Sequence, residues 1–284
     1  MIQNEVSLYS GEKNVEVFRI ARQNAVFNLY ANRHLDEVFR SYDAPDILDV
    51  GCSDGKSVDL RLRGRRIHTL VGIDIDPDKI RQAQAFFPAP ERQFRVMDVT
   101  APDFGDRMRA ELDRIGIEGF HIIHISSVLM HLPDPASALR NLRPFLLPEG
   151  TLFIQDEDDG LNLASPADPF FTDAFYLWDH SLESGDRHSG RKIPGHLEAA
   201  GYRDVRLLST TISSLDAGEE LREAFWDVYF NCDLWSADSA EYFDDPGALD
   251  RLASYRERQQ AYRQAFLDGK YFVLMGIFYF TAKK

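Results

Sequence analysis

The chain has 284 residues, 44% of them hydrophobic, so it can bury the core of one large domain or of two small ones. A formal net charge of −14 argues against contact with nucleic acid, whose phosphates are bound by clustered lysine and arginine, and favours small, neutral or cationic substrates. With two cysteines, no basic leader and no apolar run of the roughly 20 residues that cross a bilayer, we expect a cytoplasmic protein without a disulfide framework or a membrane partner.

Residues 1–45 are predicted to be an N-terminal helical segment. Apolar side chains between Val15 and Tyr30 recur at intervals of three and four residues, as they do on one face of a helix. We expect this helix to pack over the mouth of a cofactor site.

A short apolar strand at 46–50 is followed by a turn from Gly51 to Gly55, where glycine allows positive φ or the close approach of a ligand. The dinucleotide fingerprint needs further glycines at the positions of Ser53 and Lys56, and the chain lacks them. A phosphate-binding loop needs one more residue before its Gly-Lys-Ser ending, and the neighbouring acidic side chains would repel a triphosphate. Both assignments therefore fail.

The pattern Asp49-x-Gly51-x-Ser53-x-Gly55 resembles motif I of the class I, Rossmann-like S-adenosylmethionine-dependent methyltransferases, with serine in place of the middle glycine. An acid two residues before the first glycine suits a cofactor with a cationic amino-acid tail. The resemblance implies S-adenosylmethionine as the cofactor, and we expect the following residues to bind it: Asp49, Gly51, Cys52, Ser53, Gly55, Asp74, Ile75, Asp98, Val99 and Ser126.

Three later landmarks extend this resemblance. Asp74 ends a second predicted strand about 20 residues past the glycine turn, where a carboxylate can accept both ribose hydroxyls. By resemblance, Asp98 at the end of a third strand would meet the exocyclic amine of adenine, and residues 121–135 are similar to the fourth strand of the family and the turn after it. Four landmarks in order and correctly spaced are more specific than one glycine-rich turn.

Strands and helices alternate along the middle of the chain, which implies a parallel, doubly wound α/β sheet. Strands are predicted near 46–51, 68–75, 92–99, 119–127 and 151–156, and helices near 56–63, 77–87, 104–115 and 134–146. Further strands at 204–212 and 271–283 complete a seven-stranded, Rossmann-like methyltransferase sheet. The predicted domains are the N-terminal segment 1–45, a cofactor-binding core at 46–213 with a substrate-facing insertion at 160–200, a lid at 214–269 and a final core strand at 270–284.

The proposed lid carries helical patterns near 217–235 and 246–268. A connection this long is normally functional or separately folded. Its aromatic face is expected either to cover a substrate, to pack on the core or to contact a second subunit, as in a homodimer.

The acidic run at 156–159 follows the fifth predicted strand, at the edge of the sheet where α/β proteins bind ligands. It is either a solvated loop or a pocket wall for a cationic amine. A metal site, in which Asp156 or Asp158 is joined by another carboxylate and a carboxamide such as Asn162, is the weaker alternative, and we predict no metal. The predicted substrate-binding residues, which combine carboxylates with aromatic rings suited to an amine, are Asp156, Asp158, Phe175, Trp178 and Trp226.

Methyl transfer is an in-line displacement that needs positioning in a dry pocket more than a protein nucleophile. His131 is the best candidate for a general base, and its structural alternative is a histidine at a helix entry. We favour methylation of a small molecule at nitrogen or oxygen. A cofactor-binding regulator without turnover is the alternative, and a nicotinamide oxidoreductase is disfavoured by Ser53 and Lys56.

Overall fold

The computed structural model describes residues 15–182, 185–235 and 240–284. The first 14 residues of the predicted N-terminal segment lie outside these ranges. The described residues form two compact units. The sheet unit comprises Ala31–Asp156, Ser189–Thr210 and Phe278–Lys284, and the helical unit comprises the described parts of Met1–Tyr30, Glu157–His188 and Thr211–Ile277.

The sheet unit contains a largely parallel sheet in the order β3-β2-β1-β4-β5-β8, with β7 paired to β8. The strands are β1 (Asp46–Val50), β2 (Thr69–Asp74), β3 (Arg92–Val96), β4 (Phe120–Ser126), β5 (Leu146–Glu157), β7 (Arg203–Ser213) and β8 (Phe272–Lys283). The last three of these strands have residues in both units. The pairs β1–β2, β1–β4, β2–β3 and β4–β5 are parallel.

Helices alternate with these strands, as the sequence pattern predicts. They are α1 (Val15–Phe39), α2 (Lys56–Leu62), α3 (Pro77–Phe86), α4 (Phe104–Ile115), α5 (Pro135–Leu142) and α7 (Ile193–Ala199), and α1 has residues in both units. The start of α3 is fixed by Asp76, whose carboxylate accepts hydrogen bonds from the N–H groups of Asp78 and Lys79, and Pro77 is the first helical residue. Asp134 and Pro135 repeat this arrangement at α5.

The core of the sheet unit forms because the inner strands are mostly apolar and mostly buried. All five residues of β1 and the first five of β2 are buried, as expected for strands covered on both faces. Phe104, Met108 and Leu112 of α4 pack into the same cluster as Leu48, Val71 and Ile123. This packing holds the carboxyl ends of the strands in place.

The helical unit contains the first part of α1 together with β6 (Leu163–Ser165), α6 (Pro169–Asp179), α8 (Ser214–Tyr229) and α9 (Ala248–Leu267). Its centre is aromatic. Phe170 stacks on Tyr255, Tyr262 and Trp226 with ring centroids 4.3, 4.2 and 5.8 Å apart. The two helical patterns predicted within 214–269 are therefore confirmed as α8 and α9, whereas the role of this segment as a lid stays a prediction.

The predicted α/β, Rossmann-like class is confirmed, but the strand count needs a correction. The described residues contain eight strands, because β6 pairs antiparallel with the first residues of β8, from Leu163 opposite Leu274 to Ser165 opposite Phe272. Three residues are too few for an alternating pattern to be recognised in the sequence. None of the helices in the described ranges has the length and apolar character that crossing a bilayer requires.

Candidate functional site

A cavity of about 470 Å³ lies where β1, β2, β3 and β4 reach their carboxyl ends. This is the edge at which open α/β sheets bind ligands. Its walls are formed by Val50, Gly51, Ile73, Asp74, Ile75, Met97, Asp98, Val99, Thr100, Ser127, Val128, His131, Leu132 and Pro133. The lining includes two carboxylates and an imidazole but no lysine or arginine.

The glycine turn forms one wall of the cavity. Gly51, Ser53 and Gly55 all adopt positive φ angles, of 72°, 49° and 78°. The N–H groups of Gly51 and Cys52 both donate to the carbonyl of Ile73, at 2.8 and 2.9 Å, which binds the turn to the end of β2. A Cβ atom added at Gly51 would overlap Cγ2 of Val128, which also lines the cavity. Glycine is therefore needed here both for the positive φ and for the close packing of the turn against Val128.

Asp74, the last residue of β2, joins the glycine turn to the start of α3. One carboxylate oxygen accepts a 2.8 Å hydrogen bond from the N–H of Ser53, and the other accepts a 2.9 Å hydrogen bond from the N–H of Asp76. Each oxygen has a further lone pair, so the same carboxylate can also receive the hydroxyl groups of a ribose.

The wall of the cavity around Asp98 combines one carboxylate with apolar side chains. Asp98 accepts hydrogen bonds from the N–H and the hydroxyl of Thr100, at 2.8 and 2.6 Å. Met97 and Val99 on either side of it are buried, and Ile75 is 67% exposed. A planar aromatic group fits such a wall, because its faces need apolar contact and its edge needs a hydrogen-bond acceptor.

His131 lies exposed at the edge of the cavity, at the end of a short helical turn (Leu129–His131) after β4. The fully buried carboxylate of Asp156, near the end of β5, holds this turn. It accepts hydrogen bonds from the N–H of Met130, at 3.1 Å, and from the hydroxyl of Ser189, at 3.3 Å. Asp156 thus lies beneath the segment that carries His131 and does not line the cavity.

Six of the predicted cofactor and catalytic residues line the cavity: Gly51, Asp74, Ile75, Asp98, Val99 and His131. The other five do not line it. They are Asp49, Cys52, Ser53 and Gly55, in or next to the glycine turn, and Ser126, which precedes Ser127. Asp49 is 5% exposed, and its carboxylate forms a short hydrogen bond with Nδ1 of His124. Burial, reinforced by the carboxylates of Asp49 and Asp74, raises the pKa of the Cys52 thiol far above its ordinary value.

The remaining predicted substrate residues belong to the helical unit and are not among the residues that line this cavity. Asp158 is fully buried and caps a short turn through the N–H of Gly160. The indole of Trp178 donates to the carbonyl of Tyr229, and Trp226 is buried against Phe170. Phe175 packs near Phe230, with ring centroids 6.2 Å apart. Their proposed contact with substrate stays a prediction.

Asn162, the third member of the weaker metal alternative, accepts a hydrogen bond from the N–H of Gly276 at 2.8 Å. In the described parts of the chain, no three side chains of His, Cys, Asp or Glu are grouped so that they could hold a metal ion.

Sequence reasoning missed three residues of this region. Ser127, one position after the predicted Ser126, lines the cavity with a φ of 52°. Arg61 and His124 form a buried polar group with Asp49. A histidine in the middle of a strand is usually structural and attracts no attention in a sequence. The signal that could have identified His124 is its register, since it lies directly opposite Asp49 in the neighbouring strand.

Comparison with known families and structures agrees with this geometry. Residues 48–152 match the family described as methyltransferase domain. The matched segment extends from β1 into β5 and includes the glycine turn, Asp74, Asp98 and His131. These residues are therefore similar to a methyltransferase domain, which confirms the predicted resemblance to class I, S-adenosylmethionine-dependent methyltransferases.

Among curated relatives, an uncharacterized methyltransferase of Mycobacterium bovis is 36% identical over 109 residues, which are 38% of this chain and 48% of the relative. The tRNA U34 carboxymethyltransferase of Proteus mirabilis is 27% identical over 216 residues, or 70% of this chain and 54% of that protein. The chain thus spans about half the length of the curated relatives it matches. The plantazolicin methyltransferase BpumL, solved with S-adenosylhomocysteine, shares the fold over 100% of this chain and 99% of its own, with 14% identity and a TM-score of 0.52.

Proposed function

We propose that the protein transfers the methyl group of S-adenosylmethionine to a small-molecule acceptor, at nitrogen or oxygen. The cavity at the carboxyl ends of the strands carries this proposal, because its lining places Asp74, Asp98 and the open turn at Gly51 around one space. Its volume of about 470 Å³ lies within the range of small-molecule sites.

The residues present fit the cofactor. Asp74 would accept the ribose hydroxyls and Asp98 the adenine amine, with Met97, Val99 and Ile75 beside the ring. Gly51 lines the cavity at the end of β1, and its missing side chain lets the glycine turn pack against Val128, which lines the cavity too. When bound, the cofactor supplies an electrophilic methyl group on a sulfonium.

The protein's own contribution is positioning, with one candidate proton acceptor. The cavity walls bring an acceptor to attack distance and exclude water. His131 at the cavity edge would remove a proton from an acceptor that arrives protonated. A net charge of −14 favours a neutral or cationic acceptor, such as an amine-containing metabolite, over an anionic one.

Calorimetry with S-adenosylmethionine and S-adenosylhomocysteine tests the cofactor assignment first. Transfer of a labelled methyl group should then be measured with pooled amines, phenols and carboxylic acids, and with total tRNA as a separate arm because one relative is named for tRNA. We expect micromolar cofactor binding and label in the amine or phenol pool. Absence of cofactor binding would defeat the proposal, and binding without transfer to any pool would favour the regulatory alternative.

A further inference from the structure

The end of β1, just before the glycine turn, and the end of β4 are connected through a chain of polar side chains. Asp49 and His124 are direct neighbours in the parallel pair of β1 and β4, and both are at most 5% exposed. Their side chains lie on the same face of the sheet, and Oδ1 of Asp49 forms a short hydrogen bond with Nδ1 of His124. Asp49 is the acid of the glycine motif, which sequence reasoning placed against the cofactor.

The other nitrogen of the imidazole decides where its proton lies. Nε2 of His124 is 3.4 Å from Nη1 of Arg61, which is also buried. A guanidinium has only N–H groups and cannot accept a hydrogen bond, so Nε2 must be the acceptor. The proton of a neutral ring is then on Nδ1, from which it is donated to Asp49. Burial lowers the pKa of His124, which agrees with a neutral ring.

Arg61 continues the connection towards the cavity. Its Nη2 donates to the hydroxyl of Ser126 at 3.1 Å. Ser126 is followed by Ser127, which lines the cavity and whose N–H donates to the carbonyl of Gln155 at 2.9 Å. Hydrogen bonds therefore connect Asp49, two residues before Gly51, with Ser126, the residue before Ser127, on the neighbouring strands β1 and β4.

A neutral ring between a carboxylate and a guanidinium has a further effect. It keeps the charges of Asp49 and Arg61 from pairing directly, while each retains a hydrogen-bonding partner. A buried charge that loses such a partner is strongly destabilised. The imidazole thus sets the separation of two charged groups that belong to different elements, β1 and α2.

We propose that His124 is a positioning residue for the cofactor site, which as neutral imidazole holds Asp49 and Arg61 so that the ends of β1 and β4 keep the spacing the cofactor needs. The inference rests on the proposed function. It gives the acid of the glycine motif an indirect role, through the backbone of the turn, in place of direct contact with the cofactor.

Two substitutions at His124 test this role. In H124N the amide nitrogen can replace Nδ1 as the donor to Asp49, whereas H124F keeps a ring on Phe153, which stacks on His124 with centroids 5.7 Å apart, but removes both hydrogen bonds. We expect H124F to weaken S-adenosylhomocysteine binding about tenfold or more, the loss of a buried hydrogen bond to a charged group, and H124N to restore most of it.

The matched control is H121F. His121 lies in the same strand and also contacts an aspartate of β1, since its Nδ1 is 3.3 Å from Asp46 Oδ2, but it lies at the opposite end of the strand and is half-buried. We expect H121F to bind S-adenosylhomocysteine as the wild type does. Equal affinity of H124F and wild type would overturn the inference, and so would equal weakening in H124F and H121F.

Nitrogen-15 NMR of the imidazoles in the wild-type protein provides a second test that holds even if H124F does not fold. We expect a neutral His124 ring protonated at Nδ1, with a resonance that shifts when S-adenosylhomocysteine is added. A ring protonated at Nε2, a charged ring or an unchanged resonance would overturn the inference. A wild type that does not bind S-adenosylhomocysteine would instead defeat the proposed function, and this inference with it.

Discussion

The carboxylate of Asp74 accepts a 2.8 Å hydrogen bond from the backbone N–H of Ser53, so the acid proposed to hold the ribose also fixes the glycine turn. The same carboxylate accepts the N–H of Asp76 and thereby fixes the start of α3. A cofactor bound at this edge would meet a carboxylate that is already oriented from two sides. Preorganisation of this kind reduces the entropy lost on binding.

Asp74→Ala is therefore expected to weaken S-adenosylhomocysteine binding by about 2 kcal/mol, because hydrogen bonds to a half-buried carboxylate are lost. Isothermal titration calorimetry measures this change. Asp78→Asn is a suitable control, since Asp78 is an exposed acid in the first turn of α3. An unchanged dissociation constant for Asp74→Ala would remove Asp74 from the site.

Gly51→Ala should weaken cofactor binding about tenfold or more, because the added Cβ overlaps Val128 Cγ2 and pushes the cavity walls apart. The double variant G51A/V128A should recover part of this affinity.

Gly64→Ala is the matched control: its φ of 78° is equally unfavourable for alanine, but nothing lies within 4 Å of the added Cβ. We expect G64A to lose about 1 kcal/mol of stability and to keep its cofactor affinity. Full binding by G51A would contradict this account of the turn.

Ser53→Gly should raise the free energy of unfolding by up to about 1 kcal/mol. Ser53 has a φ of 49°, where a side chain costs roughly 1–2 kcal/mol, and the greater flexibility of glycine in the unfolded chain offsets part of the gain. Urea unfolding measures the difference. Ser57→Gly, in the first turn of α2, should instead lower stability by roughly 0.5 kcal/mol, because glycine has a lower helix propensity than serine. A destabilised S53G would show that the serine side chain contributes a contact that offsets its strain.

Stability should fall as the pH decreases below about 6.5, the ordinary pKa of histidine. Burial lowers the pKa of His124 in the folded protein, so in this range the unfolded chain binds a proton that the folded chain does not. The free energy of unfolding then decreases with falling pH, by at most about 1.4 kcal/mol per unit for one such proton.

Urea unfolding between pH 7 and pH 5 should show a shallower dependence of the unfolding free energy on pH for H124N than for wild type. Because burial also lowers the pKa of His34, H34N is the comparison that isolates the contribution of His124. Parallel curves for wild type and H124N would show that His124 carries a proton in both states.

Most of the fold was predictable because the inner strands are short, mostly apolar segments that alternate with helical patterns along the chain. The helix starts were predictable too, since Asp76-Pro77 and Asp134-Pro135 combine a cap with a proline at the first helical position. The strand β6 was not predicted, because three residues have no recognisable period and form a strand only through pairing with β8.

The sequence predicted those site residues whose role follows from their position at the end of a strand. Gly51, Asp74 and Asp98 lie at or just after the ends of predicted strands, and all three line the cavity. Residues whose role depends on partners that are distant in the sequence could not be predicted from the sequence. The acidic run was expected to be either a solvated loop or a pocket wall, yet Asp156 and Asp158 are both buried, one holding the turn that ends at His131 and the other capping another turn. Which neighbour a carboxylate meets depends on tertiary packing, and a charge run does not reveal it.

The burial of Cys52 also bears on how the protein responds to oxidants. Peroxides react with the thiolate form of cysteine, and this thiol is kept protonated by desolvation and by the carboxylates of Asp49 and Asp74. Sulfenic acid should therefore form slowly at this position. Although the glycine turn contains a sulfur atom, oxidative stress should leave it chemically intact.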